Sequence, residues 1–300
     1  MTKCGRWRWL VLLWCLGCGV VQAQPQARAE ALRAQFAALQ AQGTGRIGDR
    51  AIFLRSSEAE GRMQGDIYAL IDQPYESLRH ELARVDAWCG ILILHLNVKY
   101  CRAVGETGRE QLLAGVGRKF DQALHEVHWL RFDYAARAAG EGYLDLLLQA
   151  PRGPLDTQDY RIAIQAAPFA AGRSLLHMRY AYRYGLAARW AMQAYLATLG
   201  SGKRGFSIVG RGADGQPVAV GGVRGVLERN TMRYYLAIEA YLGAAGHPAA
   251  QQPLRRLETW FDATERYAAQ LHEIDRDAYL AMKRLELRRQ ETVAPPVPAD

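Results

Sequence analysis

Residues 71–92 read IDQPYESLRHELARVDAWCGIL, the passage from a strand through a tight turn into a helix. The run before it, DIYALI over residues 66–71, carries the β-branched and aromatic side chains typical of a strand, and Pro74 lies in the turn that stops it. Beyond Pro74, apolar residues recur at helical spacing as far as a tryptophan: Leu78, Leu82, Val85 and Trp88. We therefore predict a strand over residues 66–71 and a helix over residues 75–88.

Strand-like segments separated by short turns follow this helix. Residues 91–100 (ILILHLNVKY) alternate in character, with Leu92, Leu94, Leu96 and Val98 on one face and His95, Asn97 and Lys99 on the other. The leucine face predicts the core side, so we expect the polar face to meet solvent. Further strands are predicted over residues 111–116, 127–138, 143–150, 160–167 and 174–184. Short connections favour an antiparallel meander, because parallel strands need long crossovers.

The pattern changes to helices after the meander. We predict helices over residues 186–199, 225–242 and 254–289, the last with a near-heptad apolar stripe. A hairpin is predicted over residues 205–220. Its glycine-rich turn, residues 210–215, matches the spacing of a dinucleotide motif, but a strand and not a helix follows it. We therefore interpret this segment as a hairpin turn.

The order of these elements resembles the START and Bet v 1-like superfamily of helix-grip folds. The strand over residues 66–71, the helix over 75–88 and the meander over 91–184 carry the resemblance. It implies an α+β fold in which an antiparallel sheet of helix-grip type packs on helices, here with a mostly helical C-terminal extension. It also implies a cavity between sheet and C-terminal helix for sterols, lipids or other hydrophobic molecules. Some relatives use that cavity for cyclisation or hydrolysis.

The N-terminus predicts export. Residues 1–23 carry Lys3, Arg6 and Arg8, then an apolar run, then small residues up to Ala23, as in a cleaved secretory signal. The apolar run is shorter than the roughly 20 residues of a spanning helix. We therefore expect a periplasmic protein cleaved after Ala23. An alternative is lipid attachment at Cys18, since residues 16–19 resemble a degenerate lipobox.

The sequence then predicts five segments. They are a signal peptide (residues 1–23), an N-terminal helix or linker (24–50), a START-like α+β domain (51–209), a hairpin and helical C-terminal extension on the same core (210–290), and a disordered tail (291–300). Three of the five cysteines lie in the signal, which leaves Cys89 and Cys101. Two cysteines in an oxidising compartment indicate one disulfide, and two buried thiols are the alternative.

Charge and motifs exclude several function classes. Removing residues 1–23, which hold three basic and no acidic residues, lowers the net charge from +8 to +5. The arginines are dispersed, so we expect no nucleic-acid partner. A weakly basic protein is compatible with contact to a membrane surface. No zinc-binding HExxH spacing is present, and we expect neither a metal nor a cofactor.

Two sets of residues are candidate ligand contacts. On the strand over residues 174–184, Met178, Tyr180, Tyr182 and Tyr184 share one face, which is either core packing or the wall of a cavity. On the helix over residues 225–242, Arg229 and Arg233 lie one turn apart and are placed to clamp a carboxylate or phosphate headgroup. A solvated helix face with a Glu228–Arg224 pair is the alternative for this second set.

We therefore expect a protein that binds a hydrophobic or amphipathic, lipid- or sterol-like small molecule without chemistry. No residue is identified as catalytic. One alternative is a cavity enzyme of the cyclase or hydrolase kind, with acid–base chemistry. Another is an envelope-assembly protein that uses the long helix over residues 254–289 to contact a partner.

Overall fold

The computed structural model describes residues 20–170, 172–185 and 202–294. The cysteines of the predicted signal, most of that signal, the predicted helix over residues 186–199 and most of the predicted tail lie outside these residues. None of the described helices is both long enough and apolar enough to span a bilayer.

One antiparallel sheet of eight strands forms the centre of the described molecule. Along the sheet the order is β1-β2-β8-β7-β6-β5-β4-β3, and every neighbouring pair is antiparallel. The strands are β1 (Ile52–Ala59), β2 (Arg62–Ile71), β3 (Val98–Val104), β4 (Gln111–Val116), β5 (His128–Ala139), β6 (Leu144–Arg152), β7 (Thr157–Phe169) and β8 (Arg173–Tyr184). The predicted meander is confirmed from β3 to β8, although its first strand starts later than predicted. Strand β1 was not predicted.

A separate two-stranded hairpin consists of β9 (Ile208–Arg211) and β10 (Pro217–Ala219), as predicted. The described helices are α1 (Val20–Gln42), α2 (Tyr75–Leu82), α3 (Val85–Leu92), α4 (Gly222–Gly243), α5 (Gln252–Glu265), α6 (Ala268–Leu271) and α7 (Arg276–Thr292). The predicted fold class, an α+β fold with an antiparallel sheet of helix-grip type packed on helices, is confirmed.

Helix α4 is the long helix that lies across the sheet, where it packs on β1, β2 and β8. Its approach to β2 is close at Gly65, where a Cβ atom would collide with the Oγ1 atom of Thr231. A glycine is therefore required at this point of β2. Residues of the sheet, of α4 and of α5 to α7 belong to one continuous apolar core.

The sequence predictions around the first helices need correction. The predicted helix over residues 75–88 is two helices, α2 and α3, which are interrupted between Leu82 and Val85. The predicted strand over residues 91–100 starts only at Val98. Residues 91–94 are all buried, whereas alternation would expose every second one. Because this segment is covered on all sides, the spacing of its leucines did not indicate a strand with one buried face.

Helix α7 covers this segment and binds its carbonyl groups. The hydroxyl of Tyr279 donates to the Leu94 carbonyl (2.9 Å), and Lys283 donates to the carbonyls of His95 (2.7 Å) and Val98 (2.8 Å). His95 and Lys99 are buried, contrary to the predicted solvent-facing strand. The predicted disulfide is present: Cys89 in α3 is bonded to Cys101 in β3, across this same segment.

The predicted single helix over residues 254–289 was also wrong, because the chain forms α5, α6 and α7 with breaks between them. Much of its apolar stripe is buried in the protein's own core, including Leu257, Phe261, Thr264, Leu271 and Met282. The stripe therefore does not form a continuous exposed face that would pair with a partner helix.

Helix α1 packs on the opposite face of the sheet from α4. Its buried residues are Ala29, Leu32, Phe36 and Leu39, and they form a second, smaller apolar cluster with Phe53, Tyr68, Tyr143, Ala167 and Leu175 of the sheet. The segment predicted as an N-terminal helix or linker, residues 24–50, therefore contains a docked helix, and the sheet has apolar cover on both faces.

Candidate functional site

The inner face of β8 carries the predicted aromatic stripe toward α4. Alternation along the strand brings Met178, Tyr180 and Tyr182 to the main core, while His177 and Arg179 lie on the face that carries α1. Met178 has no exposed surface, and Tyr180 and Tyr182 are also buried. The three side chains thus pack between the sheet and α4, which is where the resemblance places a ligand.

Two tyrosines from other elements complete a tyrosine cluster, which we define as Tyr160, Tyr180, Tyr182 and Tyr234. The Tyr160 ring of β7 stacks on Tyr182 with a centroid distance of 5.3 Å. The Tyr234 ring of α4 lies 5.2 Å from Tyr180, and Tyr180 lies 5.6 Å from Tyr182. Such tilted and stacked pairs add packing energy beyond the area they bury.

No local sequence pattern singled out Tyr160 or Tyr234. Tyr160 lies near the start of β7, next to a register shift in the β7–β8 pairing, and Tyr234 lies on a helix remote in sequence. A search for aromatic residues on the inner faces of strands adjacent to β8 would have found Tyr160. Only the position of α4 over the sheet brings Tyr234 to the same place.

Three hydroxyl groups of the cluster form no hydrogen bond to any residue that the structure describes. Within residues 20–170, 172–185 and 202–294, the Tyr160 hydroxyl has Thr157 Oγ1 as partner at 2.9 Å, but no partner is found for the hydroxyls of Tyr180, Tyr182 and Tyr234. Most buried side-chain polar atoms in proteins have a hydrogen-bond partner. These three oxygens are not among the fully buried atoms that lack a partner, so each keeps some accessible surface at which water or a ligand's polar atom can bind.

Burial keeps these phenols protonated. Desolvation raises the pKa of Tyr180, Tyr182 and Tyr234 well above 10, and the neighbouring tyrosines add to the effect. At neutral pH all three hydroxyls are therefore hydrogen-bond donors as well as acceptors. The cluster offers an apolar surface with neutral polar points, which suits an uncharged polar group on a hydrophobic molecule.

Tyr184, the last residue of the predicted stripe, lies at the edge of this arrangement. It is only partly buried, and its hydroxyl donates to the carboxylate of Glu58 on β1. The stripe therefore divides into a buried part, Met178 to Tyr182, and an edge residue engaged by a carboxylate.

His95 lies at the α4 side of the cluster, where its ring stacks on Tyr234 at 4.8 Å. Burial lowers the pKa of His95 well below 6.5, and the positive charges of Arg233, Lys283 and Lys119 lower it further. The imidazole is therefore neutral at pH 7. Its Nδ1 atom accepts the Asn97 backbone N–H at 3.2 Å, so the ring proton is on Nε2.

Arg233, one of the two predicted headgroup contacts, forms an internal ion pair. Its Nη2 atom lies 2.8 Å from Glu273, whose carboxylate also contacts Lys119 (2.7 Å) and Lys203. Burial alone would raise the pKa of Glu273, but Arg233 and Lys119 outweigh it and lower the value to about 2. The second predicted contact, Arg229, is one turn away on α4 and is buried too.

The alternative predicted for this helix, a Glu228–Arg224 pair, takes a different form. Ser56 stands between the two side chains, donating to Glu228 and accepting from Arg224 Nε at 2.8 Å. Glu228 also accepts the backbone N–H groups of Phe206 (2.6 Å) and Ser207 (2.9 Å). This carboxylate is fully buried and attaches the base of the β9–β10 hairpin to α4.

No family model matches the chain, and a search of curated proteins found no match. Solved structures with a similar fold include a conserved protein from Geobacillus kaustophilus, with 13% identity and a TM-score of 0.35, which covers 61% of this chain and 97% of its own. A STAR-related lipid transfer protein from Xanthomonas axonopodis has 10% identity and a TM-score of 0.32, covering 48% of this chain and 89% of its own.

The human StAR-related lipid transfer protein 5 has 8% identity and a TM-score of 0.30, covering 59% of this chain and 90% of its own. These matches include START domains, the group that the sequence resembles. At such identities and TM-scores they indicate nothing about ligand or reaction.

Proposed function

We propose that this protein binds a hydrophobic or amphipathic small molecule, lipid- or sterol-like, at the tyrosine cluster between the sheet and α4, without chemical conversion. The observation that carries the proposal is a group of three neighbouring tyrosines, two buried and one partly buried, whose hydroxyls have no hydrogen-bond partner among the described residues. An apolar wall with a few convergent polar groups is the usual composition of a small-molecule site. Met178 supplies adaptable apolar contact beside them.

We further propose that the protein acts in the periplasm after cleavage behind Ala23, or from a lipid anchor at Cys18. The N-terminal sequence supports export, and a disulfide between Cys89 and Cys101 is compatible with an oxidising compartment. An intact mass of the exported protein separates the two forms, because lipidation at Cys18 adds a diacylglyceryl group and leaves a longer chain.

Native mass spectrometry of protein purified from a periplasm tests the ligand. We expect a bound species that organic solvent releases, and retention of an added fluorescent phospholipid or sterol probe. Replacing Tyr180, Tyr182 or Tyr234 by phenylalanine removes one hydroxyl each and keeps the ring. Each change is expected to weaken probe binding about 3- to 10-fold, the usual net value of a hydrogen bond.

Tyr68→Phe is the matched control, because Tyr68 is a buried tyrosine on the opposite face of the sheet. It should leave probe affinity unchanged. The proposal fails if no ligand or probe binds to folded protein, or if the cluster variants bind like the control. A bound ligand whose mass changes on incubation would support the alternative of a cavity enzyme.

A further inference from the structure

The exposed apolar side chains of the protein are concentrated in two segments. Six large hydrophobic residues are exposed in the described part of the chain, and four of them are Phe120, Ile208, Val209 and Val218. Three lie on the β9–β10 hairpin and the fourth in the loop after β4. Apolar residues of this size are usually scattered singly over a soluble surface, so their concentration requires an explanation.

Glu273 brings these two segments together. Its carboxylate contacts Lys119, the neighbour of Phe120, and Lys203, which precedes the hairpin. The base of the hairpin is fixed as well, because Glu228 accepts N–H groups of Phe206 and Ser207 and Gly205 donates to the Val220 carbonyl at 2.6 Å. The hairpin is thus an anchored projection beside the Phe120 loop.

Both faces of the hairpin are apolar and open. All four residues of β9 are exposed, and the adjacent residues Ile208 and Val209 point to opposite faces because strand side chains alternate. Each side chain is more than half exposed. A flat protein partner would cover one face and leave the other in water, whereas a fluid apolar medium surrounds both.

The charge around these side chains is positive. Arg118, Arg204 and Arg211 are exposed, and none forms an ion pair with any residue that the structure describes. Asp214 in the hairpin turn is the nearest acidic residue in sequence to Arg211. Basic residues beside apolar ones favour the interface of a membrane with anionic headgroups.

We propose that the β9–β10 hairpin and the Phe120 loop form a docking surface for an anionic phospholipid bilayer. Ile208, Val209, Val218 and Phe120 enter the boundary between headgroups and acyl chains, while Arg118, Arg204 and Arg211 contact lipid phosphates. The surface is separate from the tyrosine cluster, so the proposal does not depend on the proposed ligand.

Vesicle co-sedimentation tests the surface, with the chain from Gln24 to Asp300 to exclude the apolar N-terminal run. All buried residues of the described core lie at or after Ala29, so this chain contains that core. We expect binding to phosphatidylcholine vesicles with about one-third phosphatidylglycerol, and much weaker binding to phosphatidylcholine alone. Binding should fall steeply with salt, because the screening length drops from about 10 Å at 0.1 M to about 3 Å at 1 M.

Variants separate the two contributions. Arg204→Glu with Arg211→Glu should weaken binding at least about 25-fold, since each basic residue near an anionic leaflet contributes about 5-fold. Ile208→Asp with Val209→Asp should weaken it at least about 10-fold at every salt concentration. The matched controls are Arg109→Glu and Leu254→Asp, exposed residues outside the surface, and they should bind like the parent chain.

A thermal melt confirms that each variant is folded, and probe binding at the tyrosine cluster should be intact in all of them. The proposal is overturned if the parent chain binds neutral and anionic vesicles equally, or if the hairpin variants bind as the controls do. It is also overturned if the parent chain does not bind vesicles and light scattering shows that it is a dimer, while the hairpin variants are monomers. Loss of probe binding alone would count against the ligand proposal and not against this surface.

Discussion

The Nζ atom of Lys283 lies 2.7 Å from the Oε2 atom of Glu286, and neither side chain has any exposed surface. Lys99 approaches the other carboxylate oxygen at 3.0 Å and is equally buried. Backbone carbonyls of residues 95, 96 and 98 accept three of the remaining lysine protons, and the Sδ atom of Met282 accepts the fourth. Two cations and one anion thus join α7 to the segment closed by the disulfide.

Removing the anion of this group should be strongly destabilising. Glu286→Gln leaves two buried ammonium groups without their carboxylate, a change that typically costs about 3–5 kcal/mol. The exposed residue Glu291 on the same helix gives the control, and Glu291→Gln should change stability by less than about 0.5 kcal/mol. Urea unfolding measures both; equal values for the two variants would remove the structural role assigned to Glu286.

The same group predicts a rise in stability at alkaline pH. Burial lowers the pKa of Lys283 from 10.5 to about 8, although Glu286 opposes the shift. Between about pH 8 and 10 the unfolded chain therefore binds more protons than the native one, and the unfolding free energy gains up to about 1.4 kcal/mol per pH unit. Lys283→Met should lack this gain. Parallel curves for parent and variant over that range would show that Lys283 does not titrate in the fold.

Asp66 gives a pH dependence of the same sign in the acid range, where stability also increases with pH. Burial alone would raise its pKa, but His177 (2.7 Å) and Arg179 (2.8 Å) outweigh it and hold the pKa below 3.8. The native state then binds fewer protons than the unfolded one, so the stability that this carboxylate contributes is fully present above about pH 4 and is lost as pH falls from there through the lowered pKa of the folded state.

Asp66→Asn should therefore lower the free energy of unfolding by about 1–3 kcal/mol at pH 7. As the pH is lowered from 5, the free energy of unfolding should fall less in the variant than in the parent. Asp49→Asn, at an exposed position, is the control. Denaturant unfolding across this pH range is the measurement. A variant with the parent's stability at pH 7 would contradict the interaction of Asp66 with His177 and Arg179.

The disulfide between Cys89 and Cys101 should stabilise the protein by about 3 kcal/mol, the value for a loop of this length in the chain-entropy model. Replacing both cysteines by serine, or adding reductant, should lower the free energy of unfolding by that amount and shift the unfolding midpoint down accordingly. Reductant should then have no effect on the double variant. If reductant still shifted the unfolding midpoint of that variant, loss of the disulfide would not be the cause of the destabilisation.

Phe36 tests the docking of α1. Its ring meets Phe53 and Phe169 edge-on, at 5.7 and 5.9 Å, and it is 1% exposed. Phe36→Ala should cost about 3 kcal/mol because it empties the middle of the smaller apolar cluster. Gln40→Ala, on the exposed side of the same helix, should be neutral. If both variants unfold like the parent, α1 is not held on the sheet in solution.

Local patterns in the sequence predicted most of the strands, α4, the β9–β10 hairpin and the pairing of Cys89 with Cys101. These features depend on residues close together in the sequence. They are alternation along an antiparallel strand with one apolar face, helical spacing, and glycine at a turn. The tyrosines of β8 could be assigned to one face for the same reason, because alternation fixes the face whatever lies above it.

Patterning failed where a segment is covered on every side. Residues 94–99 alternate in type but are almost all buried, because α7 lies against them from nearly 190 positions away in the sequence. Neither the burial of His95 and Lys99 nor the meeting of Tyr160 and Tyr234 with Tyr180 can be derived from neighbours in sequence. Local sequence patterns establish which faces are apolar. Which polar groups those faces enclose depends on how α4 and α7 pack on the sheet, because burial results from contacts between segments that are remote in sequence.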